Sequence, residues 1–161
     1  RCYYKDNKEN GLHEEWYDNG QIKLSINITD DVDNGQLLQW FRNGQMHIKS
    51  NVVNGKTEGE MWKWHDNGNL RWHGTLQNDL MNGLHTEWFE NGNKKLEMMM
   101  KDSKECGEKK CWDENGHLRV HCNRPNGFFK SFHANGRQEC VEFYNENHET
   151  EGLVKRWYEN G

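Results

Sequence analysis

The sequence predicts an all-β fold, an elongated single-layer antiparallel array of tandem β-hairpins. Three observations carry that prediction. An Asn-Gly pair recurs along the 161 residues, a glycine and an aromatic residue precede each pair at fixed distances, and apolar residues alternate with polar ones after it. Asn-Gly between two strand-like runs is typical of a hairpin turn, because both residues tolerate positive φ. No segment sustains a helical period, so the strand prediction has no competitor.

The repeated unit is G-x-x-x-x-[W/F]-x-x-N-G, which occurs seven times, at spacings of 24, 24, 24, 24, 20 and 25 residues. A fixed period of about 20–50 residues indicates a repeat architecture. We therefore predict one continuous array over residues 1–161, with units starting at 11, 35, 59, 83, 107, 127 and 152 and partial units at both ends. The leading glycines are assigned to return turns between hairpins, as in residues 54–59. The repeat positions are Gly11, Trp16, Asn19, Gly20; Gly35, Trp40, Asn43, Gly44; Gly59, Trp64, Asn67, Gly68; Gly83, Trp88, Asn91, Gly92; Gly107, Trp112, Asn115, Gly116; Gly127, Phe132, Asn135, Gly136; and Gly152, Trp157.

The length of the hairpin loop decides which side chains share a face. A three-residue loop over residues 18–20, with its glycine left-handed and in a bulge, pairs Trp16 with Ile22. In that register Leu12 and Trp16 share a face with Ile22 and with the alternating residues Leu24 and Ile26. A two-residue loop would separate the tryptophan from this apolar set, because a shift of one residue moves every side chain to the other face. The three-residue loop is therefore predicted.

Two features depart from a regular array. The stretch 116–127 is shorter than its counterparts and contains Pro125, and Phe132 replaces tryptophan, so stacking is expected to be most distorted around residues 116–136. The chain begins at Arg1 rather than Met and ends on the turn Asn160-Gly161. We expect that the native N-terminus is missing and that the chain is a segment of a longer array, or that its terminal edges are covered in an assembly. The alternative is a shortened chain.

Composition disfavours several classes of function. The formal net charge is −5, and no basic run is long enough to follow a phosphate backbone, so nucleic acid is not expected and membrane lipid is disfavoured. No apolar stretch approaches the roughly 20 residues of a membrane span. Five cysteines, an odd number, favour an intracellular location or a place in a large assembly such as a virion, whereas the sequon at 27–29 points the other way. No targeting signal is visible.

The residue after each tryptophan or phenylalanine forms a second column, which points away from the tryptophan side chains. An exposed aromatic ladder of this kind is a candidate interaction site. The alternative is that these side chains only stack on one another across strands. The candidate interaction ladder consists of Tyr17, Phe41, His65, Phe89, His133 and Tyr158, with Asp113 interrupting it.

Metal binding and catalysis find little support. Cys106, Cys111, His117, His121 and Cys122 gather within seventeen residues, but their spacing matches no common zinc site. No serine lies in a nucleophile-elbow setting, and no glycine-rich turn opens a helix for a phosphate. The sequence therefore predicts no catalytic residue, no metal site and no cofactor.

The segments GLHEEWYDNGQIKLSI and GLHTEWFENGNKKLEM carry the unit most clearly, and the pattern resembles the MORN repeat, specifically its bacterial and large-virus variant with an Asn-Gly hairpin. The resemblance covers essentially the whole chain. It implies a non-enzymatic scaffold that mediates protein–protein interaction or structural assembly, often with self-association. It also leaves open two alternatives: a phospholipid-associated module, and a toxin-neutralising, antitoxin-like accessory protein.

Overall fold

The computed structural model describes residues 2–124, 127–145, 149–152 and 154–160. Within these ranges 17 strands are paired antiparallel in open hairpin order, and no helix occurs that could span a membrane. The predicted fold class, an all-β array of hairpins, is confirmed. Arg1, Pro125 and Gly161, which were singled out from the sequence, lie outside the described residues.

The strands fall into two compact units, Arg1–Met81 and Asn82–Gly161. Unit 1 contains β1 (Cys2–Lys5), β2 (Lys8–Trp16), β3 (Ile22–Thr29), β4 (Val32–Asp33), β5 (Gly35–Trp40), β6 (Met46–Val53), β7 (Lys56–Thr57), β8 (Gly59–Trp64), β9 (Leu70–Gln77) and β10 (Leu80–Met81). Unit 2 contains β11 (Gly83–Trp88), β12 (Lys94–Lys101), β13 (Lys104–Trp112), β14 (Leu118–Arg124), β15 (Gly127–Phe132), β16 (Gln138–Tyr144) and β17 (Lys155–Arg156).

The Asn-Gly turns have the predicted three-residue loop. In the first hairpin the Tyr17 N–H donates to the Gln21 carbonyl (2.8 Å), and the Gly20 N–H donates to the Tyr17 carbonyl (3.0 Å). Gly20 has φ +84°, and Trp16 lies opposite Ile22. The same pair of backbone bonds closes the loops that follow Phe41, His65, Phe89, Asp113 and His133.

The predicted face composition is wrong beyond that first pair. The register shifts between Glu15 and Trp16, which places Leu24 opposite Glu15 and Ile26 opposite His13. Directly opposite residues point to the same side of a sheet. The bulge therefore moves the aliphatic side chains to the side away from tryptophan, a shift that counting from the loop alone does not include. The same shift precedes Trp40, Trp64, Trp88, Trp112 and Phe132.

We call the side that carries Leu24 and Ile26, and the equivalent residues of later hairpins, the aliphatic face. The opposite side, which carries Trp16 and its equivalents, is the tryptophan face. Most of the buried residues lie on the aliphatic face: in unit 1 Ile26 is 3% exposed, and Ser50 and Gly74 occupy the same repeat position. In unit 2 the buried residues of this face are His85, Met100, Cys122 and Cys140.

The return turns are not made by the leading glycines, so that assignment is also wrong. Within residues 2–124 each return turn has two residues at positive φ, for example Asp30 (51°) and Asp31 (66°), which lie between the paired residues Thr29 and Val32. Such a two-residue turn requires positive φ twice, and Asp and Asn tolerate it. The leading glycine follows the short strand β4 instead: Gly35, at φ +109°, lies where the register shifts before β5 pairs with β3.

Candidate functional site

Members of the predicted interaction ladder are bonded to the next hairpin. The Tyr17 hydroxyl donates to the carbonyl of Trp40 (2.9 Å), and Nε2 of His133 lies 2.9 Å from the carbonyl of Trp157. Both contacts reach the tryptophan of the following repeat. Tyr158, by contrast, is 85% exposed. Tyr17 and His133 therefore join successive hairpins through their polar groups.

The ladder lies on the aliphatic face. Lys95 Nζ is 5.9 Å from the ring centroid of Phe89 and 3.5 Å from the Glu87 carboxylate, and Glu87 lies opposite Leu96. The column thus points away from tryptophan as predicted, but that side is the more buried one, because the bulge moved the aliphatic residues there. Binding of a partner by this ladder stays a prediction.

Ladder rings also contact the residue at the bulge of their own hairpin. The Phe41 and His47 ring centroids are 4.2 Å apart, and His47 is the counterpart of Lys95. Burial, together with the positive charges of Arg71 and Lys63, lowers the pKa of His47 below its usual value. A neutral imidazole is therefore favoured against the Phe41 ring.

The turn asparagines have a role that the sequence did not reveal. Oδ1 of Asn19 accepts the Gln21 N–H within its own turn (3.1 Å), while Nδ2 donates to the Arg42 carbonyl of the next turn (3.1 Å). Only a side-chain amide supplies both an acceptor and a donor here. The sequence signal for this role was that every such turn has Asn at this position. The backbone does not require Asn there, because its φ is not positive. The same donor bond joins Asn43 to Asp66, Asn91 to Glu114 and Asn135 to Glu159.

The return turns are joined in the same way in unit 1. The Asp31 carboxylate accepts the Glu9 N–H (2.6 Å), and the Asp31 N–H donates to the Glu9 carbonyl (3.0 Å). Asp79 makes the equivalent two bonds with Thr57, at 2.7 and 3.1 Å. Polar side chains of both turn rows thus hold neighbouring hairpins together, which leaves the faces for other contacts.

The tryptophan face differs between the units. In unit 2 Leu84 (50% exposed) lies opposite Met99 (39% exposed), and Phe128 lies opposite Phe143 (49% exposed). The repeat position of Met99 and Phe143 is held in unit 1 by the exposed polar residues Asn27, Asn51 and Thr75. Paired exposed apolar side chains therefore occur on this face of unit 2.

A family model that describes a MORN repeat variant matches residues 9–29 and residues 81–102. The first match contains the β2–β3 hairpin, and the second contains the β11–β12 hairpin. These two matches support a MORN-repeat protein. No match was found among curated proteins. MORN repeats are generally non-catalytic modules that interact with proteins or membranes.

The cysteine and histidine group weighed as a metal site is divided between the faces of this MORN array. His121 lies opposite Lys110 on the tryptophan face, whereas Cys122 lies on the aliphatic face. Burial raises the pKa of the Cys111 thiol, which disfavours the thiolate that a metal would need. Within the described ranges, no group of three or more His, Cys, Asp or Glu residues is placed to hold a metal ion.

Proposed function

We propose that this MORN array is a non-enzymatic scaffold that binds other proteins through the tryptophan face of unit 2. The observation that carries the proposal is the pair of exposed apolar contacts on that face, Leu84 with Met99 and Phe128 with Phe143. Scattered apolar residues are normal on a protein surface. Cross-strand pairs, in contrast, form contiguous exposed apolar surface, which marks a site of interaction with a partner protein.

Charge favours a protein over a membrane as the partner. The chain carries a net charge of −5, and the same face of unit 2 presents the carboxylates of Glu97 and Glu108 close to the apolar pairs. The net negative charge opposes binding to an anionic bilayer, although Glu97 is paired with Lys94, and Glu108 with Lys110 and His121. A partner protein can present charges complementary to those of this face. A second copy of the chain is one such partner.

A photo-crosslinking amino acid tests this proposal. It is placed at Met99 in unit 2 and, as the matched control, at the exposed Thr75 in unit 1, which holds the same repeat position. Irradiation in an extract of the native source should give a discrete protein adduct at position 99 and none at position 75; an adduct of twice the chain's mass identifies self-association. Equal labelling at both positions, or a lipid adduct at position 99, contradicts the proposal.

A further inference from the structure

A single row of side chains crosses the tryptophan face of unit 2 in unbroken register. Each member lies directly opposite the next on the neighbouring strand, so adjacent members are about 4.8 Å apart. We call it the basic row, because four of its six positions carry Lys or His. Across strands β12 to β17 the basic row consists of Glu97, Lys110, His121, Lys130, Val141 and Lys155.

The members of the row differ in whether a carboxylate neutralises their positive charge. Glu108 binds both His121 (2.7 Å) and Lys110 (3.1 Å), and these two groups lower the pKa of its carboxyl. Lys130 and Lys155 have no carboxylate within 4.0 Å in the part of the chain that the structure describes. The unneutralised positive charge therefore lies at the Lys130–Lys155 end.

Apolar residues border that end. Phe128 and Phe143 lie opposite each other in the adjacent row, and Lys130 Nζ is 4.9 Å from the Phe128 ring centroid. Val141 lies in the row between Lys130 and Lys155 but is only 7% exposed, so the accessible apolar surface at this end is that of Phe128 and Phe143. An acidic ligand held by these lysines would therefore contact apolar surface as well.

The corresponding row of unit 1 offers nothing of this kind. There Lys49 lies 5.5 Å from the Trp62 ring centroid, and Trp62 stacks on His73 at 5.1 Å. Lys49 and Trp62 lie directly opposite each other, as do Trp62 and His73. This row of unit 1 therefore has His73, and no second lysine, two strands from Lys49, whereas Lys130 and Lys155 of unit 2 are two lysines two strands apart.

We infer that the basic row binds an acidic segment of a partner protein, with carboxylates on Lys130 and Lys155 and apolar residues on Phe128 and Phe143. This inference rests on the proposed function and names the chemistry of its partner. The two lysines are two strands apart, about 10 Å. That distance matches carboxylates three residues apart in a polyproline II segment, which rises about 3.1 Å per residue with three residues per turn, or seven apart on a helix rising about 1.5 Å per residue.

The carboxylates of the row favour a peptide over a polyphosphate. Glu97 occupies one end of the row, and Glu108 lies beside Lys110 and His121. An unbroken series of phosphates crossing the face would meet both of them. A peptide can present a basic or neutral side chain at those points and keep its acidic residues for the other end.

The test uses the full chain and a labelled 15-residue peptide with Glu at every third position and Leu or Phe between, followed by fluorescence anisotropy. The same peptide with Gln for Glu is the ligand control. The variant Lys130→Gln with Lys155→Gln should weaken binding of the acidic peptide about tenfold, since two charge contacts are lost. Lys49→Gln with Lys56→Gln removes the same charge from unit 1 and should leave the affinity unchanged. Circular dichroism verifies that both variants fold.

Three results overturn the inference. The first is tighter binding of the Gln peptide than of the Glu peptide, and the second is equal weakening by both double variants. The third is tighter binding of a single-stranded oligonucleotide, or of vesicles containing phosphatidylserine, than of the acidic peptide, where that binding is weakened by Lys130→Gln with Lys155→Gln. If any of these occurs while the crosslinker at Met99 still captures a protein, only the partner chemistry is wrong. If the crosslinker captures none, the proposed function fails as well.

Discussion

Unit 1 and unit 2 contain the same Asn-Gly hairpins but differ where one hairpin returns to the next. In unit 1 the short strand β4, a two-residue turn and a positive-φ glycine at Gly35 separate successive hairpins. Unit 2 keeps positive φ at Asp102, Ser103 and Gly107 in the return from β12 to β13, whereas β14 pairs directly with β15 and Gly127 does not have a positive φ. At the Asn-Gly end, Asn19, Asn43, Asn91 and Asn135 each bond to the next repeat. The shorter connection, between β14 and β15, includes residues 125–126, which lie outside the described part of the chain, so the distortion expected around residues 116–136 stays a prediction.

The units also differ in what they place at equivalent surface positions. The hairpin register decides that Thr75 and Met99 point to the tryptophan face, but it does not require either residue. Backbone and turn bonds hold the array, so these positions are free to vary. A polar residue at such a position leaves the face solvated, whereas an apolar one makes it a surface for partners.

The largest expected effect is a loss of stability on replacing a leading glycine by alanine, and it should be greater at Gly127 than at Gly35. Gly127→Ala should cost about 2–3 kcal/mol of unfolding free energy, because its Cβ would lie 2.7 Å from the Asn123 carbonyl oxygen, a backbone atom that cannot swing away. Gly35→Ala should cost about 1–2 kcal/mol, since a Cβ there has room but φ is +109°. Urea denaturation of both variants measures the difference. A larger loss at Gly35 would contradict this account of the two returns.

The next largest effect is a difference in stability between variants of two turn asparagines, one in each unit. Asn43→Asp keeps the acceptor but removes the donor bond to Asp66 (2.7 Å), and should cost about 1 kcal/mol. In unit 2, Asn115 makes no such bond within the described residues, and Asp113 accepts the N–H groups of Asn115 and His117 at 3.0 Å. Asn115→Asp should therefore change stability by less than about 0.5 kcal/mol. Equal losses in urea denaturation would show that the donor bond is not the cause.

The sequence predicted the repeat and the hairpin loop, because Gly20 and the pairing of Trp16 with Ile22 follow from local turn chemistry. It did not predict the register shift between Glu15 and Trp16. The extra residue of that bulge, Lys23, lies in the second strand and cannot be told from an ordinary strand residue by its type. The bond from Asn19 to the next turn joins residues 23 apart, and only the stacked hairpins bring them together. The basic row of unit 2 was missed for the same reason, because its lysines are scattered in the sequence and aligned only by register.

The ladder tyrosines give a smaller effect. Tyr17→Phe removes the bond from its hydroxyl to the Trp40 carbonyl (2.9 Å) and should cost about 0.5–1 kcal/mol. Tyr158→Phe in unit 2 should have no measurable effect on stability, since that side chain is 85% exposed. Thermal denaturation of the two variants compares them directly. If Tyr17→Phe is silent, the ladder does not join hairpins through its polar groups, and its role as an interaction site becomes the better explanation.

The smallest effect is a pH dependence confined to unit 1. Burial, and then the charges of Arg71 and Lys63, lower the pKa of His47 below its ordinary value of 6.5. The unfolded chain therefore binds the proton more readily, so the stability contributed by neutral His47 is complete above pH 6.5 and is lost as pH falls through the folded-state pKa. The same repeat position in unit 2 is held by Lys95.

His47→Gln should accordingly reduce the fall in urea midpoint between pH 7.5 and pH 5. The other histidines remain in both proteins, so the difference between the two slopes isolates His47. Lys95→Gln is the matched control and should shift the midpoint equally at both pH values. A steeper pH dependence in the His47 variant than in the parent chain would mean that the protonated imidazole is the form that the fold prefers against Phe41.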